Sequence, residues 1–204
     1  MSNSRISKNK ELPKRILILC EGESEIIYLK GFRGEEQNKR RLANVDIEIY
    51  QPKNYSPYGL LIEAKKKQKE AKKEKFPYKS VWIVFDRDGH ANIPQTFEES
   101  KKADVKIAFS LICFEYWILL HFEKTFRAFK NCDEILSYIK SKKYIDYQKT
   151  NYYPQLLGEH KSNALSYSEW MLTQNESDLK RGKKEYELSA YTDFNKLINY
   201  LNSI

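Results

Sequence analysis

Two short stretches place carboxylates where hydrophobic runs end. In the first, Arg15-Ile16-Leu17-Ile18-Leu19-Cys20 leads into Glu21-Gly22-Glu23-Ser24-Glu25. In the second, Ser80-Val81-Trp82-Ile83-Val84-Phe85 leads into Asp86-Arg87-Asp88-Gly89-His90. A plain turn would favour Asn, Asp, Ser or Gly over a row of glutamates. Carboxylates gathered at one place repel one another, and a divalent cation with oxygen ligands removes the repulsion. Hard carboxylates suit Mg2+ or Mn2+. The chemistry on offer is therefore that of a hard divalent ion held at a strand end.

The elements that must position these groups alternate in kind. Residues 15–20 and 80–85 are near-continuous apolar runs, as expected of strands buried on both faces. Residues 45–50 alternate apolar and polar, the pattern of a half-buried edge strand. Residues 105–109 make a fourth strand. Between them, 24–36 reads as a helix with Ser24 as its cap and Ile27, Leu29 and Phe32 on its apolar face. Residues 58–75 read as a lysine-rich helix with Leu60, Leu61 and Ala64 inside, and 94–103 as a short helix. This alternation predicts an α/β fold: a mostly parallel four-stranded sheet flanked by helices. Beyond 110 the pattern turns helical, over 113–123, 131–142, 163–175 and a capped 192–202. We expect a disordered basic arm over 1–13, an α/β domain over 14–124, and a helical extension over 125–204 packed on it.

In an open parallel sheet, ligands bind beyond the carboxyl ends of the strands. If the two acid-tipped strands are neighbours, Glu21, Asp86 and Asp88 converge there. Asp86 and Asp88, two apart, share a side in extended chain. Glu25, four residues after Glu21, reaches the same side if a helix starts near Gly22. Glu23 reads as a partner of the helix dipole. Gly22 lets the chain turn sharply and leaves room for a phosphate.

The chain has 204 residues and a formal net charge of +8, which fits a phosphate-bearing partner, as it also fits a merely lysine-rich surface. Residues 65–75 carry seven Lys and two Glu. They form either a solvated helix face or a phosphate-tracking ridge, with Lys65, Lys66 and Lys69 as its candidates. A second basic region, 140–149, ends in Lys149, and a third spans 180–184. Tyr144, Tyr147, Tyr152 and Tyr153 interleave with these lysines, as stacking aromatics do in single-strand binding. Arg87 and His90 flank the second acid pair and are candidate phosphate contacts. Glu115, in Cys113-Phe114-Glu115-Tyr116-Trp117, is costly to bury alone; it binds metal, pairs with Arg87 or a Lys, or caps its helix. His121 faces away from Glu115 on an ideal helix and reads as a core histidine. Cys20, Cys113 and Cys132 lack metal-ligand spacing; Cys20 and Cys113 read as small buried hydrophobes, and zinc is not expected. No apolar run is long enough for a membrane span, so the expected setting is the cytoplasm.

The motifs "LCEGESE" and "VFDRDGH" resemble the two motifs of Toprim domains, a Glu-Gly pair after the first strand and an Asp-x-Asp after a later one. Over 18–32, 81–90 and 110–123 the chain more closely resembles RloB-like proteins, whose Cys/Ser-Phe-Glu-x-Trp block is similar to 113–117. The likeness covers roughly 14–124; 189–201 is similar to the family's closing segment but lacks its usual Asn-Pro. The resemblance implies a Mg2+-dependent (or Mn2+-dependent) nuclease for DNA or RNA, tRNA included, serving bacterial phage defence beside an ATPase sensor protein. It implies Glu21 as general acid/base, Asp86 and Asp88 as metal ligands, and Glu25 as a second metal ligand. Glu115 joins the catalytic candidates. In phosphodiester cleavage the metal activates water, orients the phosphate and offsets developing charge. The alternative is a non-catalytic nucleic-acid-binding or adaptor subunit of a defence complex. A haloacid-dehalogenase-type phosphatase also carries Asp-x-Asp, but on its first strand. Self-association is left open.

Overall fold

The computed structural model describes residues 13–87 and 89–204. The expected arm therefore lies, Pro13 apart, outside the described residues, and so does Asp88. The sheet has strands β1 (Lys14–Cys20), β2 (Val45–Tyr50), β3 (Ser80–Asp86) and β4 (Lys106–Ser110). All pair in parallel, in the order β2-β1-β3-β4. Helices α1 (Glu23–Gly34), α2 (Glu36–Arg41), α3 (Pro57–Lys73), α4 (Ile93–Lys102), α5 (Glu115–Leu120), α6 (Cys132–Ser141), α7 (Pro154–Leu157), α8 (Lys161–Lys180) and α9 (Phe194–Asn202) complete it. The result is an α/β fold of Rossmann-like kind.

The period of two in β1 explains why it reads as a continuous apolar run. Ile16, Ile18 and Cys20 face one apolar layer, with Tyr28 and Phe32 of α1, Trp117 of α5 and Leu197 of α9. Leu17 and Leu19 face the other, with Leu60, Leu61 and Ala64 of α3 and Ile93 before Phe97 of α4. Both faces are dry, so every position must be apolar. β2 lies at the sheet edge, and its alternating sequence matches its partial burial.

The other edge is covered by the chain's own C-terminal segment. Leu111 N donates to Tyr191 O at 2.9 Å and Asp193 N donates to Phe109 O at 3.0 Å, an antiparallel contact centred on Ser110 and Thr192. The buried Asp193 carboxylate accepts from Phe109 N–H at 2.7 Å and from Tyr191 O–H at 3.1 Å, and meets Lys196 Nζ at 2.8 Å. Asp193 stands at the N-cap position of α9, but its carboxylate is spent on these partners, so the capped helix expected over 192–202 has no side-chain cap. Asp193→Ala is expected to cost about 3 kcal/mol, because it leaves a buried N–H and a buried hydroxyl without their acceptor. Urea unfolding would show it as a lower midpoint at unchanged slope.

Several local expectations are corrected. Ser24 is not a cap: α1 starts one residue earlier, after Gly22, without a side-chain cap. The helix expected over 24–36 breaks at Glu35, which is extended (φ −60°, ψ 140°), and α2 follows. Buried Asn38 donates to Phe32 O at 2.7 Å and so satisfies a carbonyl near that break. The helix expected over 113–123 keeps only 115–120, and the one over 163–175 extends to 161–180. Cys113 is not a free buried thiol. It is joined to Cys132, 19 residues away, by a disulfide with the Cα atoms 5.7 Å apart. Cys20 is free and buried. Among the described residues no helix is long and apolar enough to cross a membrane.

Candidate metal and phosphate site

With the strand order β2-β1-β3-β4, the direction of winding reverses between β1 and β3, so the crevice beyond their carboxyl ends is where a ligand fits. Glu21 and Asp86 stand there. Glu21 N–H donates to Val84 O at 2.9 Å, which carries the β1–β3 ladder one residue past the strand. Its side chain is held as firmly. Oε2 accepts from Asp86 N–H at 3.1 Å, and Oε1 lies 2.7 Å from His90 Nε2. Gln51, in the loop after β2, donates to the Glu21 carbonyl. The ends of β1, β2 and β3 thus meet at Glu21, β3 and its following loop through the carboxylate and β2 through the main-chain carbonyl.

Gly22 serves a different purpose from the sharp turn expected of it. Its backbone is extended (φ −122°, ψ 166°), a conformation open to any residue. Space is the constraint: a Cβ there would lie 2.5 Å from Glu25 Oε2. Glu25 is 4% exposed. Burial pushes its carboxyl up to about 8, the charges of Glu115 and Glu21 push the same way, and its own backbone N–H and Lys149 pull back. Glu23, one turn-position away, is exposed on the first turn of α1, in keeping with a dipole partner.

Glu115 opens α5 and is 2% exposed. Tyr147 O–H donates to Oε1 at 3.2 Å and Ser24 Oγ approaches it at 3.5 Å. Oε2 lies 3.8 Å from Lys149 Nζ and 3.1 Å from Cys132 Sγ. Of the expected partners it takes a lysine and not Arg87, whose guanidinium donates to Tyr186 O at 3.3 Å. Beside Asp86 a cavity of about 200 Å3 is lined by Arg87, Lys130, Asn131, Cys132 and Lys149. Three cations thus share one small space with Asp86, an arrangement that suits a phosphate.

The fold brings Glu21, Glu25, Asp86, Glu115, Arg87, His90 and Lys149 to one end of the sheet. It treats the lysine helix differently. Lys65 pairs with Glu99 at 3.1 Å and Lys66 with Glu63 at 3.7 Å, while Lys69 is exposed on α3. Lys66 lines a separate, wider cleft with Gln51 and Tyr58. The tyrosines expected to stack on bases are mostly spent within the protein. Tyr144 stacks on Phe122 and donates to Glu123 at 2.6 Å, Tyr153 donates to Asp146 O at 2.7 Å, and Tyr147 holds Glu115. Tyr152 is 47% exposed, with its ring against Gly31. His121 is a core residue: fully buried, it donates from Nδ1 to Trp117 O at 2.9 Å and accepts Tyr28 O–H at Nε2 at 3.0 Å. Burial pulls its pKa down to about 3. Sequence reasoning missed Lys130 and Gln51, gave Tyr147 to base stacking and gave Cys132 no place at the site. Each is an ordinary residue in a loop or helix start; pairing of β2 with β1 brings Gln51 to Glu21, and the packing of α6 and its flanking loops brings the others to the acids.

Glu21, Glu25 and Asp86 offer oxygen donors, the type a hard divalent ion takes, though among the described residues their ligand atoms do not all lie within 4.8 Å of one another. Glu25 is buried within the influence of two further carboxylates, with Lys149 as the facing cation, and each carboxylate oxygen keeps lone pairs beyond its present hydrogen bond. Glu21, Glu25 and Asp86 are the residues that would hold it.

The model of a family described as RloB-like protein matches residues 16–201. The matched range takes in the closing segment 189–201, in spite of its missing Asn-Pro. No curated protein and no solved structure matches the chain. Since the match runs from the first strand through the acid-bearing strand ends to the last helix, the chain belongs to the RloB-like protein family.

Proposed function

We propose that this protein is a Mg2+-dependent (or Mn2+-dependent) nuclease with a Toprim-type centre, cleaving phosphodiester bonds of DNA or RNA. The observation that carries the reading is the placing of Glu21 and Asp86 at the adjoining ends of β1 and β3, with buried Glu25 under the charge of Glu21, beside a cavity walled by Arg87, Lys130 and Lys149. The ion, when bound, activates water and offsets charge on the phosphate. The chain's own residues do the rest. Arg87, Lys130 and Lys149 bind and orient the phosphate. Glu21, gripped through Asp86 N–H and His90, takes or returns a proton at a fixed position. His90 holds the Glu21 side chain in place through the 2.7 Å contact.

The family resemblance also supports a place in phage defence, in the cytoplasm. The chain contains no G-x-x-x-x-G-K-[ST] sequence, so an ATPase sensor would be a separate protein. The alternative reading, a non-catalytic adaptor, draws on the fact that Glu21 and Glu115 already have protein partners. Incubation of the purified protein with single- and double-stranded DNA and RNA in Mg2+ or Mn2+ separates the two. We expect cleavage that Asp86→Asn lowers about 1,000-fold while nucleic-acid binding is retained. Binding without cleavage in either metal, with the ATPase partner and ATP also supplied, would establish the adaptor.

A further inference from the structure

Cys113 and Cys132 open onto the same cavity as Asp86 and Lys149. Neither cysteine is needed by the nuclease reading. One Sγ of each and one carboxylate oxygen of Glu115 lie within 4.8 Å of one another. That is the compass of a single coordination sphere, with Zn–S near 2.3 Å and Zn–O near 2.1 Å.

We propose that Cys113, Cys132 and Glu115 form a Zn2+ site in the reduced protein. The disulfide and the metal are alternative occupants of the same sulfur pair. A thiol reductant supplies two electrons: its two thiols become one disulfide, and the Cys113–Cys132 bond becomes two thiols. Zn2+ then binds both as thiolates and releases two protons.

Three features favour the metal over an idle thiol pair. Cys132 is the first residue of the ten-residue helix α6, where backbone N–H groups favour a thiolate. Lys149 Nζ lies 3.7 Å from its sulfur and adds a positive charge. The third ligand is already built: Glu115 is 98% buried, is steadied by Tyr147, and has Oε2 3.1 Å from Cys132 Sγ. Thiolates select Zn2+ over Mg2+, whereas the oxygen set at Glu21 and Asp86 has the opposite preference. Two cations of different softness therefore have separate sites at one end of the sheet. Three protein ligands leave a fourth position for water or an anion.

The test uses Co2+ as a spectroscopic stand-in for Zn2+, because only sulfur ligands produce a thiolate-to-metal charge-transfer band. The full-length protein, reduced and then freed of reductant under argon, is titrated with CoCl2 in excess Mg2+. We expect the band to saturate at one equivalent of Co2+, to vanish on adding ZnSO4, and to be absent from the oxidised protein and from Cys132→Ser. The oxidised wild type is a control of identical sequence, so a misfolded variant cannot decide the result. In parallel, Zn2+ should protect Cys113 and Cys132 from iodoacetamide, read by peptide mass spectrometry. Absence of the band from the reduced protein would overturn the site, as would a band unchanged in Cys132→Ser. Neither measurement involves cleavage, so failure here is distinct from failure of the nuclease reading.

Discussion

Glu21→Gln is expected to lower metal-dependent cleavage by about 1,000-fold or more while the protein stays folded. The size follows from two losses at once. A neutral amide is a poor ligand for a hard cation, and it cannot take up a proton at neutral pH. Stability should change little, because Gln keeps a carbonyl oxygen able to accept Asp86 N–H, and the backbone bond to Val84 is untouched. The informative comparison is Glu23→Gln, two residues on, which removes the same charge from an exposed position at the start of α1. That variant should cleave as the wild type does. Initial rates on the best oligonucleotide, with circular dichroism as the folding control, measure both. Equal rates for Glu21→Gln and wild type would remove Glu21 from the chemistry.

Glu25→Gln should change how stability depends on pH. In the metal-free fold the Glu25 carboxyl is raised from about 4.5 to about 8. The folded chain then holds a proton that the unfolded chain has lost. The stability tied to that proton is fully present below pH 4.5 and is lost as pH rises through 8. With EDTA present, the wild type should lose about 4 kcal/mol on this account between pH 4.5 and 9, since the carboxyl is raised by some three and a half pKa units. Glu25→Gln carries no such proton, so its stability should lack that decline and exceed the wild type's at pH 9. Guanidinium unfolding at pH 5, 7 and 9 decides it; parallel pH profiles for the two proteins would show that Glu25 is not buried as a neutral acid. Divalent cation should narrow the gap at pH 9, since a bound metal replaces the proton as the partner of the charge.

The sequence was most legible where local physics leaves little choice. A strand covered on both faces must be apolar at every position, and so β1 and β3 announce themselves; an edge strand may alternate, and β2 does. Glu21 and Asp86 could be read as site residues for the same reason, because a charge directly after such a strand has only the sheet's carboxyl edge to occupy. Ser24 reads as a cap, and 192–202 as a capped helix, but capping is a local option that tertiary partners outbid. Ser24 turns to Glu115 and the Lys149 carbonyl, and Asp193 turns to Phe109 and Tyr191.

What the sequence by itself determined is the alternation of strands and helices, the acid-tipped strands and the basic excess, all of which are properties of near neighbours in the chain. The tertiary structure alone decided which acids are buried and which cations face them. It raised the Glu25 carboxyl by enclosing it near Glu115, 90 positions away, and set Lys149 against Glu115 across 34 residues. It also placed Cys113 beside Cys132. Burial and long-range charge depend on which surfaces pack together, and no periodicity of the chain encodes that. The two strand-end carboxylates mark the place; the packing of α1, α5 and α6 around them makes it a site.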